Sequence, residues 1–396
     1  LKKRRNLPII RAEVLAWTFG AVAMRRVMTQ VRLIMALATG VALALVAPYS
    51  GGAEGPMGIS RAQVYLPVAF WRWSVRAHLG YGANVCTATG AQYLARIGFD
   101  WGKGFVSLGD GAVVATRNQL HSFLAAGIRR VLLRLEQPAP PLGLAQLEEW
   151  QKGCAELALY VANSFRPQGL QVVAYEIWNE PNLWYSWGGH APDAAAYARV
   201  LCAAYRAIKG ADPKAIVVSG GLATAGDGAG ALVIGDLIYL QQMLAAGAGE
   251  CLDAFGSHPY GGSAPPEATL GTVYFRRAEE QRQVLAENGY PQKQVWATEC
   301  GWRVRGQDCD FGEHQDFVVD EGQQADYLVR AFRYAEANWP WMGPMFIFNL
   351  DFGIAPWYEQ CDPVRWYSLL QAENGTIVQR EAVEALRALE KLPRQW

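Results

Sequence analysis

The sequence predicts a single (β/α)8 barrel of the TIM type, and three observations carry the prediction. From residue 54 onward, short apolar runs alternate with helical stretches, the pattern of a parallel sheet wrapped by helices. Eight such units can be counted, and eight close naturally into a barrel, whose usual size is about 200 to over 400 residues. Neither a repeat nor a second domain is visible, so residues 54–396 are read as one barrel domain. At 396 residues and 51% hydrophobic, the chain can bury a large core.

Strands are expected over residues 79–85, 99–108, 130–135, 171–178, 215–220, 254–258, 294–298 and 345–350. The third is strongly apolar and is closed by Gln137 and Pro138. Helices are expected over 90–97, 115–126, 143–163, 193–209, 235–246, 272–287, 321–337 and 379–391. Asp193 suits an N-cap, because its carboxylate can accept from the free amides of a first turn. Tyr197, Leu201, Tyr205 and Ile208 then line one face at helical spacing. Gly220-Gly221 and Gly343-Pro344 read as punctuation between elements. The glycine-rich stretch 226–230 lacks dinucleotide-binding spacing and reads as a flexible loop.

Chemistry concentrates at two strand ends. An apolar run (Val172, Val173, Ala174) leads into Tyr175-Glu176-Ile177-Trp178-Asn179-Glu180-Pro181-Asn182. A carboxyl there can protonate a glycosidic oxygen, and the neighbouring amide can bond a ring hydroxyl. A second carboxyl follows a later strand, in Val295-Trp296-Ala297-Thr298-Glu299-Cys300-Gly301-Trp302. One such Glu alone could equally be a surface or capping residue. Two at separate strand ends are the minimum needed to break a glycosidic bond.

These motifs resemble those of clan-A glycoside hydrolases, with family 39-like and family 5-like members as the nearest relatives. The resemblance rests on Trp178-Asn179-Glu180-Pro181 and on Trp296-x-Thr298-Glu299-x-Gly301-Trp302, and it spans about residues 79–370. It implies Glu180 as general acid/base and Glu299 as nucleophile of a double displacement, their carboxyls about 5–5.5 Å apart. Asn179 is expected to bond the hydroxyl beside the anomeric carbon. His258 and Tyr260, in Phe255-Gly-Ser-His-Pro-Tyr-Gly261, are expected to orient the nucleophile; the bland alternative is a histidine bonded to backbone. Lys103 stands where relatives carry a basic residue, with a solvated lysine as its alternative.

Trp184, Trp187, Trp302 and Trp357 fall in loops at the expected mouth, and two of the four are expected to meet sugar. Trp184 and Trp302 are taken as substrate contacts. Glu176 and Tyr185 read as structural. The third strand ends Leu135-Glu136-Gln137, without the histidine or arginine of some relatives. The eighth, Phe348-Asn349-Leu350-Asp351-Phe352, lacks a tryptophan often found there. Cys300 beside Glu299 has no histidine partner in a fitting motif, which speaks against a thiol nucleophile.

The zero formal charge hides an asymmetry. Residues 1–53 hold eight Lys/Arg and only Glu13, leaving the remainder with 28 basic and 35 acidic residues, a formal charge of −7. Such a body has no footprint for nucleic acid. The apolar run 33–46 after Arg32 is 14 residues long, within a signal-peptide core and short of the roughly 20 that span a bilayer. Residues 1–53 are therefore read as a signal peptide with an N-terminal extension, translation starting at Met28; an uncleaved membrane anchor is the alternative. Secretion would place seven cysteines in an oxidising compartment. Cys154 with Cys202, and Cys309 with Cys361, are candidate bridges. No cofactor and no metal are expected, and the acidic loop Asp308, Asp310, Glu313, Asp316 reads as solvated charge rather than a calcium site. The resulting expectation is a secreted retaining β-glycosidase acting on saccharides. A catalytically silent carbohydrate-binding barrel and a transglycosylase are the alternatives. Sugar identity, linkage, endo or exo cleavage and oligomeric state leave no mark in the sequence.

Overall fold

The computed structural model describes residues 79–226, 232–269, 271, 273–306, 309 and 317–392. The expectations for residues 1–53, for the acidic loop and for most of the 226–230 stretch lie outside the described residues.

Eight parallel strands close into a barrel. They are β1 (Tyr81–Asn84), β2 (Trp101–Ser107), β3 (Arg130–Glu136), β4 (Val172–Ile177), β5 (Ile216–Ser219), β6 (Ala254–His258), β7 (Gln294–Cys300) and β8 (Met342–Ile347). Each pairs with its neighbour in sequence, β8 pairs with β1, and Val218↔Ala254 joins β5 to β6. Leu222–Ala223 adds a short parallel extension beside Ser257 and His258. The wrapping helices are α1 (Ala88–Arg96), α2 (Ala112–Ala125), α3 (Leu144–Phe165), α4 (Ala194–Ala211), α5 (Asp236–Ala245), α6 (Arg277–Glu287), α7 (Glu321–Asn338) and α8 (Glu381–Ala388).

Successive strand residues face opposite sides, so each strand gives alternate side chains to the lumen. Trp101, Leu132, Ala174, Val218, Ala254, Trp296 and Phe346 form one buried cluster at the base of the lumen. Trp101 meets Trp296 edge-on at 5.3 Å and Phe346 at 6.0 Å. Two residues further along the same faces stand Lys103, Arg134 and Glu176, and four residues beyond Ala254 stands His258. The barrel is thus plugged with apolar rings below and charged above, toward the strand ends where barrels of this type carry their chemistry. A much larger apolar cluster seals the helices against the outside of the sheet.

The Asp193 carboxylate caps α4, accepting from the Ala196 amide at 2.8 Å. The Tyr197, Leu201 and Ile208 side chains of that helix are buried as its spacing requires. Gly343-Pro344 is no junction: it lies inside β8, where Val295↔Met342 is followed by Ala297↔Met345, three residues against two. A bulge accommodates a proline that cannot donate to the ladder. A Cβ on Gly343 would strike the Trp296 ring. The last expected helix also starts late, because Gln379 ends a two-stranded hairpin, β9 (Leu370–Glu373) and β10 (Thr376–Gln379).

Disulfides join Cys309 to Cys361, as anticipated, and Cys202 to Cys251, which corrects the Cys154–Cys202 expectation. Cys154 faces the core of α3 and is fully buried as a thiol. Cys202 turns instead toward the 3-10 turn Ala248–Cys251. That bridge closes a span of 49 residues. Cys202→Ser is expected to lower unfolding stability by about 2–4 kcal/mol through added entropy of the unfolded chain, measured by denaturant titration.

Candidate active site

The turn after β4 carries Asn179 and Glu180 and is held in an unusual conformation. Trp178 and Glu180 both have positive φ, +74° and +40°, a region costly for residues with a Cβ. Three contacts over-determine the turn. The Trp178 ring N–H donates to the Ser186 carbonyl at 2.8 Å, and the Glu180 amide donates to the Gly221 carbonyl at 3.0 Å. Asn182 is buried and exchanges hydrogen bonds with Ala223, tying the loop to the strand extension. Gly221 has to be glycine here, since a Cβ would collide with the His258 ring.

Glu299, at the end of β7, is gripped from three sides. The Tyr260 hydroxyl donates to Oε2 at 2.7 Å; Lys103 Nζ and Arg134 Nη1 approach Oε1 at 3.2 and 3.3 Å. Burial pushes its carboxyl pKa up, but His258, Lys103 and Arg134 outweigh burial and hold it below the ordinary carboxylate value. Glu299 is therefore held ionised at neutral pH. Burial and the Glu299 charge push the Tyr260 phenol well above its usual value, so it stays a donor.

His258 links the two carboxylates. Its Nδ1 lies 2.9 Å from Glu180 Oε1 and 3.7 Å from Glu299 Oε2. Burial lowers the imidazole pKa, but Glu299 first, then Glu176 and Glu180, raise it to about 9. The imidazole is thus protonated at neutral pH, with Nδ1 facing the Glu180 carboxylate.

Glu176 lies beneath this pair, fully buried. It meets Lys103 Nζ at 2.7 Å and accepts from the Gly221 amide at 3.2 Å, with His258 Nε2 3.7 Å away. Burial disfavours its charge, but Lys103 and His258 hold its pKa far below the ordinary range. The Lys103 ammonium also donates to the Thr298 carbonyl at 3.1 Å, so it sits among Glu176, Glu299 and Thr298.

The structure brings Glu180, Glu299, Asn179, His258, Tyr260 and Lys103 to one place, and it excludes the bland readings of two. His258 is bonded to carboxylate rather than backbone, and Lys103 is buried rather than solvated. Trp302 is corrected. Its ring is buried between Phe275 and Tyr327, and its N–H donates to the Ala264 carbonyl at 2.7 Å, so it offers no face to a ligand. Trp187 is likewise packed away, against Trp178 and Tyr197. Trp184 and Trp357 are exposed.

Arg134 is the residue the sequence reading passed over. The absence of a basic residue at the very end of the third strand drew attention one position too far along. Arg134 lies over the Phe105 ring at 4.6 Å, is paired with Glu136 at 2.9 Å, and donates to Asn179 Oδ1 at 2.8 Å. With that oxygen occupied, the Asn179 amide nitrogen is left to donate. Glu176, read as structural, is in direct contact with the charge network. Strand phase was the available signal for both: 132, 134 and 136, like 174, 176 and 178, share a face.

This architecture is found in solved structures of other proteins. A glucosidase from Croceicoccus marinus superposes with a TM-score of 0.54 at 14% identity, over 78% of this chain and 67% of that one. A monomeric beta-xylosidase from Caulobacter crescentus CB15 gives 0.53 at 17%, over 79% and 67%. A GH5-4 broad specificity endoglucanase from Clostridium acetobutylicum gives 0.50 at 14%, over 78% and 97%. The fold is that of family 5 and family 39 glycoside hydrolases. No family model and no curated protein matches the sequence.

Proposed function

We propose that this barrel is a retaining β-glycosidase, with Glu299 as nucleophile and Glu180 as acid/base. The observation that carries the reading is the shared contact of both carboxylates with His258 Nδ1. Their nearest oxygens can be no farther apart than the sum of 2.9 and 3.7 Å. That ceiling admits the retaining separation of about 5–5.5 Å and reaches only the lower edge of the inverting range, about 6.5–9.5 Å.

Glu299, ionised and steadied by Tyr260, Lys103 and Arg134, attacks the anomeric carbon. The glycosidic bond breaks as a proton, supplied from His258 Nδ1, passes through the Glu180 carboxyl to the leaving oxygen. A water then enters, Glu180 takes its proton, and the resulting hydroxyl cleaves the glycosyl ester, freeing Glu299. Asn179 donates to the hydroxyl beside the reacting carbon, where such a bond strengthens in the transition state. Two disulfides fit secretion into an oxidising compartment. No helix among the described residues is long and apolar enough to cross a membrane.

The test is incubation with a panel of 2,4-dinitrophenyl 2-deoxy-2-fluoro-β-glycosides, followed by peptide mass spectrometry. A single glycosyl adduct on Glu299 is the expected result. No adduct with any sugar, together with no hydrolysis of the parent glycosides, would overturn the reading in favour of a silent binding barrel.

A further inference from the structure

Resting on the glycosidase reading, we propose that the cleft takes a linear β-linked oligosaccharide across the whole barrel mouth and cuts it internally. Trp357 and Tyr358 hold the glycone side, and Trp184 and Tyr185 hold the leaving side.

In a closed ring of eight strands, β4 and β8 are four places apart and therefore face each other across the mouth. Each is followed by a loop carrying an adjacent aromatic pair. Trp184 is 39% exposed, Tyr185 62% and Trp357 60%, and in each pair the ring centroids lie 6.2 Å apart. Exposure of one apolar ring is ordinary, but two pairs at opposite rims of one charged cleft form a track. Aromatic faces match the C–H faces of pyranose rings and release water on contact.

The sidedness follows from the chemistry. Glu180 must touch the leaving oxygen, and Trp184 and Tyr185 follow it by four and five residues in the same loop, whose turn is closed by the Leu183 amide donating to the Glu180 carbonyl at 3.0 Å. That aromatic pair thus lies on the acid's side of the mouth. On the other rim, Phe352 meets at 5.7 Å the Phe105 ring that lies under Arg134, the side chain that holds Asn179 and Glu299. Tyr358 stacks face to face on Phe352 at 5.2 Å. A site for a single terminal sugar has use for rings on one side only; this mouth carries them on both.

The test compares 4-nitrophenyl β-glycosides of one and two sugars (glucose and cellobiose, xylose and xylobiose, mannose and mannobiose) and the matching hexasaccharides. The expected kcat/KM is at least about tenfold higher for the preferred disaccharide than for its monosaccharide, the worth of one stacked ring. Trp357→Ala should bring that ratio toward one, and Trp184→Ala should raise KM for the hexasaccharide more than for the aryl disaccharide. The hexasaccharide should yield di-, tri- and tetrasaccharides from the first turnovers. Release of one sugar at a time, with the disaccharide no better than the monosaccharide, would overturn the inference while leaving the glycosidase intact. Absence of turnover and of any Glu299 adduct would remove both.

Discussion

Glu180→Ala is expected to slow hydrolysis of an alkyl or oligosaccharide β-glycoside by about 10²–10⁴-fold, the usual worth of a positioned general acid. The size of the loss should depend on the leaving group. A 2,4-dinitrophenolate departs without a proton, so formation of the glycosyl–enzyme is nearly spared, and its breakdown becomes limiting because no base remains to activate water. Sodium azide needs no base, so it should restore turnover and yield a β-glycosyl azide. Glu299→Gln should behave differently, losing both substrate classes by more than about 10⁴-fold, since it removes the covalent route itself. Equal losses for good and poor leaving groups in Glu180→Ala, or an azide product of inverted configuration, would sink the assignment of roles.

The contrast between the two variants follows from the surroundings of each carboxyl. Glu299 is buried among cations that favour its charge, with a Tyr260 hydroxyl bonded to it. Glu180 is more open, 16% exposed along its side chain, and its bonded partner is the imidazole of His258 rather than a permanent cation. On the proposed reading, one group is prepared to attack and the other to trade a proton, a division achieved by environment alone.

Much of this was legible before any coordinates. The apolar runs marked all eight barrel strands, because a parallel sheet covered on both faces demands them. Glu180 and Glu299 stood out because their motifs close those runs. Other features were legible but missed. Asn374-Gly375 is a hairpin signal, and both residues take positive φ, +49° and +77°, between β9 and β10. The inward phase of Trp101 and Lys103 foretold a lysine in the lumen, and the same phase applied to Arg134 and Glu176. What sequence could not supply was partnership across distant segments. Cys202 bonds to Cys251 rather than Cys154 because a turn packs against one face of α4. Trp302 and Trp184 look alike as loop tryptophans, yet the first fills a space between Phe275 and Tyr327 while the second stays open.

The largest effect on stability is expected from Lys103→Met, which keeps the length of the side chain and removes its charge. Lys103 and Glu176 are both fully buried, and their contact is 2.7 Å. Removing one partner strands the other as an uncompensated charge, a loss of about 3–5 kcal/mol near pH 7. The pH dependence separates this cause from poor packing. In the parent protein the folded-state pKa of Glu176 is depressed, so its contribution is present above the unfolded carboxylate value and is lost only in strong acid. Without Lys103 the largest favourable charge is gone and burial pushes the Glu176 pKa up against the remaining His258 and Arg134 charges, so the folded variant takes up a relieving proton at a higher pH than the parent does. Its stability deficit should therefore narrow as pH falls from about 7 to about 5. Lys103→Met combined with Glu176→Gln should recover part of the loss at neutral pH, since both charges leave together. Guanidinium titrations at pH 5, 6 and 7 on the three proteins decide the matter. A deficit that stays constant with pH, or a double variant destabilised by at least the sum of the single changes, would show that Lys103 acts by filling space and that the buried pair does not set the charge at the base of the site.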